Sequence, residues 1–116
     1  LISSEGNLIN MVKEGSTIDL PEGFAEKHSK ETTGNDEASA FASKAEYLEL
    51  FKKSRSNSLS VLEGLSEDDF AAECPEHFRT ICSDMGGMAM LIANHPMMHA
   101  GQFVPVRRAL GKPVVI

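Results

Sequence analysis

The sequence contains little cysteine and little positive charge. Its 116 residues include two cysteines, Cys74 and Cys82, which form no Cys-x-x-Cys pair, so neither a zinc knuckle nor a dithiol redox motif is indicated. Eleven lysines and arginines stand against 17 aspartates and glutamates, which gives a formal net charge of -6. Because nucleic acids and anionic membranes select clustered positive charge, neither is expected as a partner.

Long apolar runs are also missing. A transmembrane helix needs about 20 consecutive, mostly apolar residues, and the sequence contains no such run. The first residues also lack the charged segment followed by an apolar one that marks a secretory signal peptide. With no disulfide framework and no export signal, a reducing cytoplasm is the simplest predicted location.

Apolar periodicity predicts an all-α protein. A chain of 116 residues is long enough for one domain with a hydrophobic core that needs no disulfides, and we expect a single domain over residues 1–116. Apolar residues at steps of three and four predict three substantial helices near residues 1–14, 44–64 and 81–110, and no sheet. On the second of these helices, Leu48 and Arg55 belong to the predicted core face.

Local signals support the helix boundaries. Ser43 and Glu46 have the spacing of a capping box, in which each side chain bonds the other's backbone amide. Ser66 begins a second pattern of this kind before a short helix predicted over residues 67–72. Gly15 is typical of a helix C-terminus. The helical pattern of apolar residues begins at the first residue, and no capping residue precedes it. We therefore expect the chain to begin within a helix and to lack sequence upstream.

Residues 16–42 lack helical periodicity and contain turn residues and polar residues. Irregular connections of this length in compact domains are usually functional or mobile, and this one is expected to cover a site on the helical core. His28 lies inside it without a periodic neighbour. We interpret His28 as a solvated loop residue and keep it only as a reserve metal ligand.

The last predicted helix has an inward stripe that includes two histidines. The stripe comprises Ile81, Met85, Met88, Ile92, His95, His99, Gln102, Val106 and Ala109. Thr80 is the expected cap. Pro96 and Pro105 each cost roughly 3 kcal/mol inside a helix, so the segment either kinks or divides into two helices. The stripe keeps its phase across both prolines, which favours one kinked helix.

Gly86 and Gly87 lie near the start of this helix, where they weaken it by up to about 1 kcal/mol each relative to alanine. The usual compensation is the close approach of a neighbouring helix, which we expect here. Five methionines occur between residues 85 and 98. They follow no chelating spacing, so we interpret them as core packing and not as a copper site.

His95 and His99 are one helical turn apart, which places their Cβ atoms roughly 5–6 Å from each other. Both imidazoles can therefore reach one ion, and zinc would lie about 2.0–2.1 Å from each nitrogen. The alternative is that each histidine bonds to a carboxylate in the core. Peptidases with a His-Glu-x-x-His motif share the spacing, but Pro96 occupies the position of their glutamate base, so this class is excluded.

The order of these motifs resembles the DinB-like family. The most specific part is HPMMHAGQ over residues 95–102, which is followed by RRALG over 107–111. DLPEGF over 19–24, Ser43 as a helix start and LEGLSEDD over 62–69 resemble the segments between helices of that family, in the same order. The resemblance covers nearly the whole chain.

The resemblance implies an antiparallel four-helix bundle with a long crossover loop, holding one divalent metal, zinc or nickel, between three histidines. Two of these histidines map onto His95 and His99. The third comes from the family's second helix, which here begins at Leu1 without a histidine, so the first helix and this ligand are expected to precede residue 1. Glu5 is the nearest substitute, and Gln102 suits the support of a ligand or bound water.

The resemblance also implies two possible functions and an oligomeric state. The family includes thiol transferases that use small thiols, so the chain is expected to be either such a metal-dependent transferase or a non-catalytic, stress-associated metal-binding domain. Members commonly form homodimers, to which Phe41, Phe70 and Phe78 could contribute. The sequence assigns no catalytic residue. Arg107 and Arg108 either recruit an anionic thiol or favour the negative end of the helix dipole.

Overall fold

The structure is a computed structural model that describes residues 1–114. Within this range the chain has five α-helices and three short 3₁₀ helices, with no β-strand beyond one isolated bridge. The α-helices are α1 (Ile2–Val12), α2 (Phe24–Lys27), α3 (Lys44–Glu63), α4 (Glu67–Ala71) and α5 (Met85–Ala109). The all-α class is confirmed, whereas the four-helix arrangement and the additional first helix stay predictions.

The chain divides into two compact units. One comprises residues 2–64, and the other comprises residue 1 together with the chain from residue 65 onward. No helix among the described residues combines the length and the apolar character needed to cross a lipid bilayer.

In the unit of residues 2–64, α1 packs against α3. Gly15 follows α1 with a φ angle of 76°, and its amide donates to Asn10 Oδ1 at 2.8 Å, as expected for a helix terminus. The predicted capping box of Ser43 is present at the start of α3. On α3 the buried residues are Ser54 and Ser58, whose small side chains allow the neighbouring helix to come close.

In the unit that begins at residue 65, α4 packs near the start of α5. A Cβ atom on Gly86 would lie 3.6 Å from the carbonyl oxygen of Phe70 in α4, and one on Gly87 would lie 3.2 Å from Cys82 Cβ. The predicted approach of a neighbouring helix is therefore found at Gly86, whereas Gly87 lies against Cys82 in the segment before α5. Pro96 lies inside one α5 helix, as the unbroken phase of the stripe predicted.

The start of α5 differs from the prediction. The cap of α5 is Asp84 and not Thr80. The Oδ1 atom of Asp84 accepts a hydrogen bond from the Gly87 amide at 2.8 Å. The reason is that the carbonyl of Phe78 accepts the amides of both Ile81 and Cys82 at 2.8 Å. This turn holds the residues after Phe78 outside the helix, and Ile81 is exposed instead of facing inward.

The two cysteines are buried free thiols. Cys74 Sγ donates a hydrogen bond to the carbonyl oxygen of Cys82 at 2.7 Å. Burial, followed by the proximity of Cys74 and Asp84, raises the pKa of the Cys82 thiol. A raised pKa disfavours the reactive thiolate, so these contacts agree with a packing role.

Candidate metal centre

His95 and His99 lie one turn apart on α5, and their imidazole rings are in contact. The ring centroids are 4.7 Å apart with the planes nearly perpendicular, and the two Nε2 atoms are 3.1 Å apart. Both side chains are partly exposed. The spacing on the helix therefore does bring two imidazole nitrogens to one point that small molecules can reach.

The separation of these nitrogens fits a shared ion. Two ligands bound at 2.0–2.1 Å to a tetrahedral zinc lie roughly 3.3 Å from each other, close to the observed 3.1 Å. In the structure the two nitrogens interact with one another, and a hydrogen bond between them requires that one nitrogen be protonated. A metal ion would instead need the lone pair of both nitrogens, so the proton between them would have to move to Nδ1 of its own ring before both could bind the ion.

Gln102 orients the second histidine. Its Oε1 lies 2.8 Å from His99 Nδ1, and since an amide oxygen can only accept, Nδ1 donates. A neutral His99 then carries its proton on Nδ1 and directs the lone pair of Nε2 toward His95. This is the arrangement by which a second group fixes the tautomer of a metal-binding histidine.

The described residues 1–114 provide no complete metal site. They contain no cluster of three or more His, Cys, Asp or Glu side chains able to hold an ion. The carboxylate of Glu5, named from the sequence as a substitute for the third ligand, binds Arg55 Nη1 at 3.1 Å in the structure.

The inward stripe of α5 is confirmed at its first half only. Met88 and Ile92 are fully buried, whereas Gln102, Val106 and Ala109 are exposed. α4 has five residues and packs near Gly86, so it is too short to cover the later turns of a 25-residue helix. The histidine pair lies where the stripe passes from buried to exposed.

Arg107 bonds to the chain just past its own helix. Its Nε donates to the carbonyl oxygen of Pro113 at 2.8 Å. Arg107 and Arg108 both belong to the last turn of α5, where a cation favours the negative end of the helix dipole. The contact with Pro113 supports this interpretation of Arg107 over the recruitment of an anionic thiol.

His28 is held in place, although its side chain is exposed as predicted. Its Nδ1 donates to the carbonyl oxygen of Phe24 and its Nε2 bonds the hydroxyl of Tyr47, both at 2.6 Å. Its ring also stacks on that of Phe24, with centroids 4.3 Å apart. The interpretation of His28 as a solvent-exposed loop residue is confirmed, but its ring is held by these contacts, and with both nitrogens engaged it is a poor reserve ligand.

These contacts predict that His28→Ala will lower the free energy of unfolding by about 1 kcal/mol, the usual net worth of a hydrogen bond. Urea unfolding monitored by circular dichroism would measure the loss. Tyr47→Phe keeps the ring and removes the hydroxyl, so the two changes together should cost less than the sum of the single losses. Strict additivity of the two would contradict a bond between the side chains.

Comparison with known proteins places the chain in a family. Residues 1–103 match the family model of the DinB superfamily, and the matched range includes His95, His99 and Gln102. Among curated proteins and solved structures, none matches the chain significantly. Because the family model spans most of the sequence, as the order of its motifs predicted, the chain belongs to the DinB superfamily.

Proposed function

We propose that this protein binds one divalent metal ion, zinc or nickel, through His95 and His99. The observation that carries the proposal is the pair of Nε2 atoms 3.1 Å apart, one of them on a ring oriented by Gln102. Neutral imidazole is a good ligand for both metals. The homodimer implied by the family resemblance is part of this proposal.

We further propose that the protein is a metal-dependent transferase that acts with a small thiol. A divalent ion at the histidine pair would supply Lewis acidity that lowers the pKa of a bound thiol toward neutrality. His95 and His99 would hold the ion, and Gln102 would keep His99 in the required tautomer. Because both rings are partly exposed, a small thiol has access to this part of α5.

The test is thiol consumption by the metal-loaded full chain. The protein is incubated with 1-chloro-2,4-dinitrobenzene and a panel of low-molecular-weight thiols. In the reaction a carbon–sulfur bond forms, chloride leaves and the thiol proton is released. We expect the wild type to accelerate the loss of at least one thiol, and His99→Ala to lose the acceleration.

His77→Ala is the matched control, because His77 is an exposed histidine in a 3₁₀ helix outside the pair. It should retain the wild-type rate. Equal rates for the wild type, His99→Ala and protein-free buffer would contradict the transferase, and ion binding without turnover would support the non-catalytic metal-binding domain.

A further inference from the structure

A cavity of about 350 Å³ lies within the unit of residues 2–64, between the segment that contains α2 and the first turns of α3. Its volume is within the range of about 300–1,000 Å³ that is typical of small-molecule sites. Pro21, Phe24, Ala42 and Leu50 supply apolar surface. The cavity can therefore surround the apolar part of a small ligand.

The charged side chains around this cavity are mainly acidic. Glu22, Glu46 and Glu49 contribute three carboxylates and Lys27 one ammonium, and the Glu49 carboxylate also pairs with Lys52 Nζ at 3.3 Å. Hydrogen bonds from the hydroxyl and the amide of Ser43 hold the pKa of Glu46 below its usual value, which keeps this carboxylate ionised. The lining thus has an excess of negative charge.

One wall of the cavity is aromatic and fixed. Phe24 is buried, and the ring of His28 stacks on it. The bonds from His28 to the Phe24 carbonyl and the Tyr47 hydroxyl prevent its ring from turning freely. The ring of Phe41, which does not itself line the cavity, lies near His28, with ring centroids 5.7 Å apart. Aromatic faces attract cations, and a wall held by several contacts is already organised for binding.

We propose that this cavity binds a small organic cation, an ammonium group attached to an apolar ring or short chain. The apolar part packs on Phe24 and Leu50, and the ammonium lies among the carboxylates. An anion of the same size would meet more carboxylates than ammonium groups, and a neutral ligand would desolvate the carboxylates without compensation. This inference goes beyond the proposed metal function and uses no metal.

Three ligands with one ring and different charges test the inference. Cyclohexylammonium, cyclohexanol and cyclohexanecarboxylate are titrated into the full chain with a chelator present, so that no amine can act through a bound ion. Tyr47 is the only tyrosine and the chain has no tryptophan, so intrinsic fluorescence reports on the residue bonded to His28. Saturation-transfer NMR on the ligand provides a second readout.

We expect saturable binding of cyclohexylammonium, at least about tenfold tighter than that of the other two ligands, and weaker in high salt because exposed charges are screened. Glu49→Gln should lower the affinity for cyclohexylammonium roughly threefold or more. Its ion pair with Lys52 is highly exposed, so losing that pair should leave the fold intact. Glu63→Gln, at the far end of α3, is the matched control and should bind like the wild type.

The inference is overturned if neither readout detects cyclohexylammonium, or if all three ligands bind equally. The same conclusion follows if Glu49→Gln and Glu63→Gln bind alike, since the acidic lining would then have no part in recognition. Because the chelator is present throughout, these results are independent of whether His95 and His99 bind a metal. Failure here and failure of the metal proposal can thus be told apart.

Discussion

Replacing His99 with alanine is expected to raise the dissociation constant of a bound zinc or nickel ion by at least about 100-fold, because one of a small number of ligands is lost. His95→Ala should have a similar effect, since its Nε2 lies 3.1 Å from that of His99. Elemental analysis of full-length purified protein should find close to one ion per wild-type chain and little in either variant. Calorimetric titration would give the constants.

Gln102→Leu separates the orientation of His99 from direct ligation. It removes the acceptor that lies 2.8 Å from His99 Nδ1 but leaves both ligands, so we expect a loss of affinity of about 10- to 100-fold. The affinity of the wild type should fall as the pH is lowered, because protons compete with the ion for the same nitrogens. Undiminished metal in both histidine variants would refute the shared site.

Sequence periodicity was sufficient to predict the long helices and the histidine pair. Met88, Ile92, His95 and His99 repeat at three and four residues, and the structure shows the first two buried and the other two in contact. A helix fixes the relation between residues one turn apart regardless of what surrounds it. The contact between two residues one helical turn apart depends only on local helix geometry, so their spacing in the sequence is enough to predict it.

The burial of α3 could not be predicted in the same way. Leu48, assigned to the core face, is 47% exposed, while Ser54 and Ser58 are almost fully buried. Apolar patterning selects large hydrophobic residues, but close contact between two helices favours small side chains whatever their polarity. The packing of α3 against α1 therefore determines which face of α3 is buried.

Contacts between residues far apart in the sequence could not be predicted either. His28 and Tyr47 are 19 positions apart, and no period connects them. Asp84 replaced Thr80 as the cap of α5 because a turn at Phe78 shifted the start of the helix. In both cases the deciding contact depends on how a loop folds. Loops have no repeating pattern from which such a contact could be inferred.

The ion pair between the buried Glu5 and the partly exposed Arg55 should have a large effect on stability. Glu5 is 3% exposed, and Arg55 Nη1 lies 3.1 Å from its carboxylate. Arg55→Met removes the cation and leaves the buried carboxylate without it, which should lower the free energy of unfolding by about 3 kcal/mol. Urea unfolding followed by circular dichroism would measure this loss.

An exposed ion pair within α3 provides the control. Lys52 and Glu49 are 3.3 Å apart with side chains 71% and 76% exposed, so Lys52→Met should cost less than about 1 kcal/mol. Since both changes remove a cation carried by α3, the difference between them reports on the burial of the partner carboxylate, which is 3% exposed for Glu5 and 76% exposed for Glu49. Glu5→Leu combined with Arg55→Met should recover part of the loss, because no charge is then left buried without its partner. Equal losses for Arg55→Met and Lys52→Met would mean that water still reaches the Glu5 carboxylate, contrary to its burial in the structure.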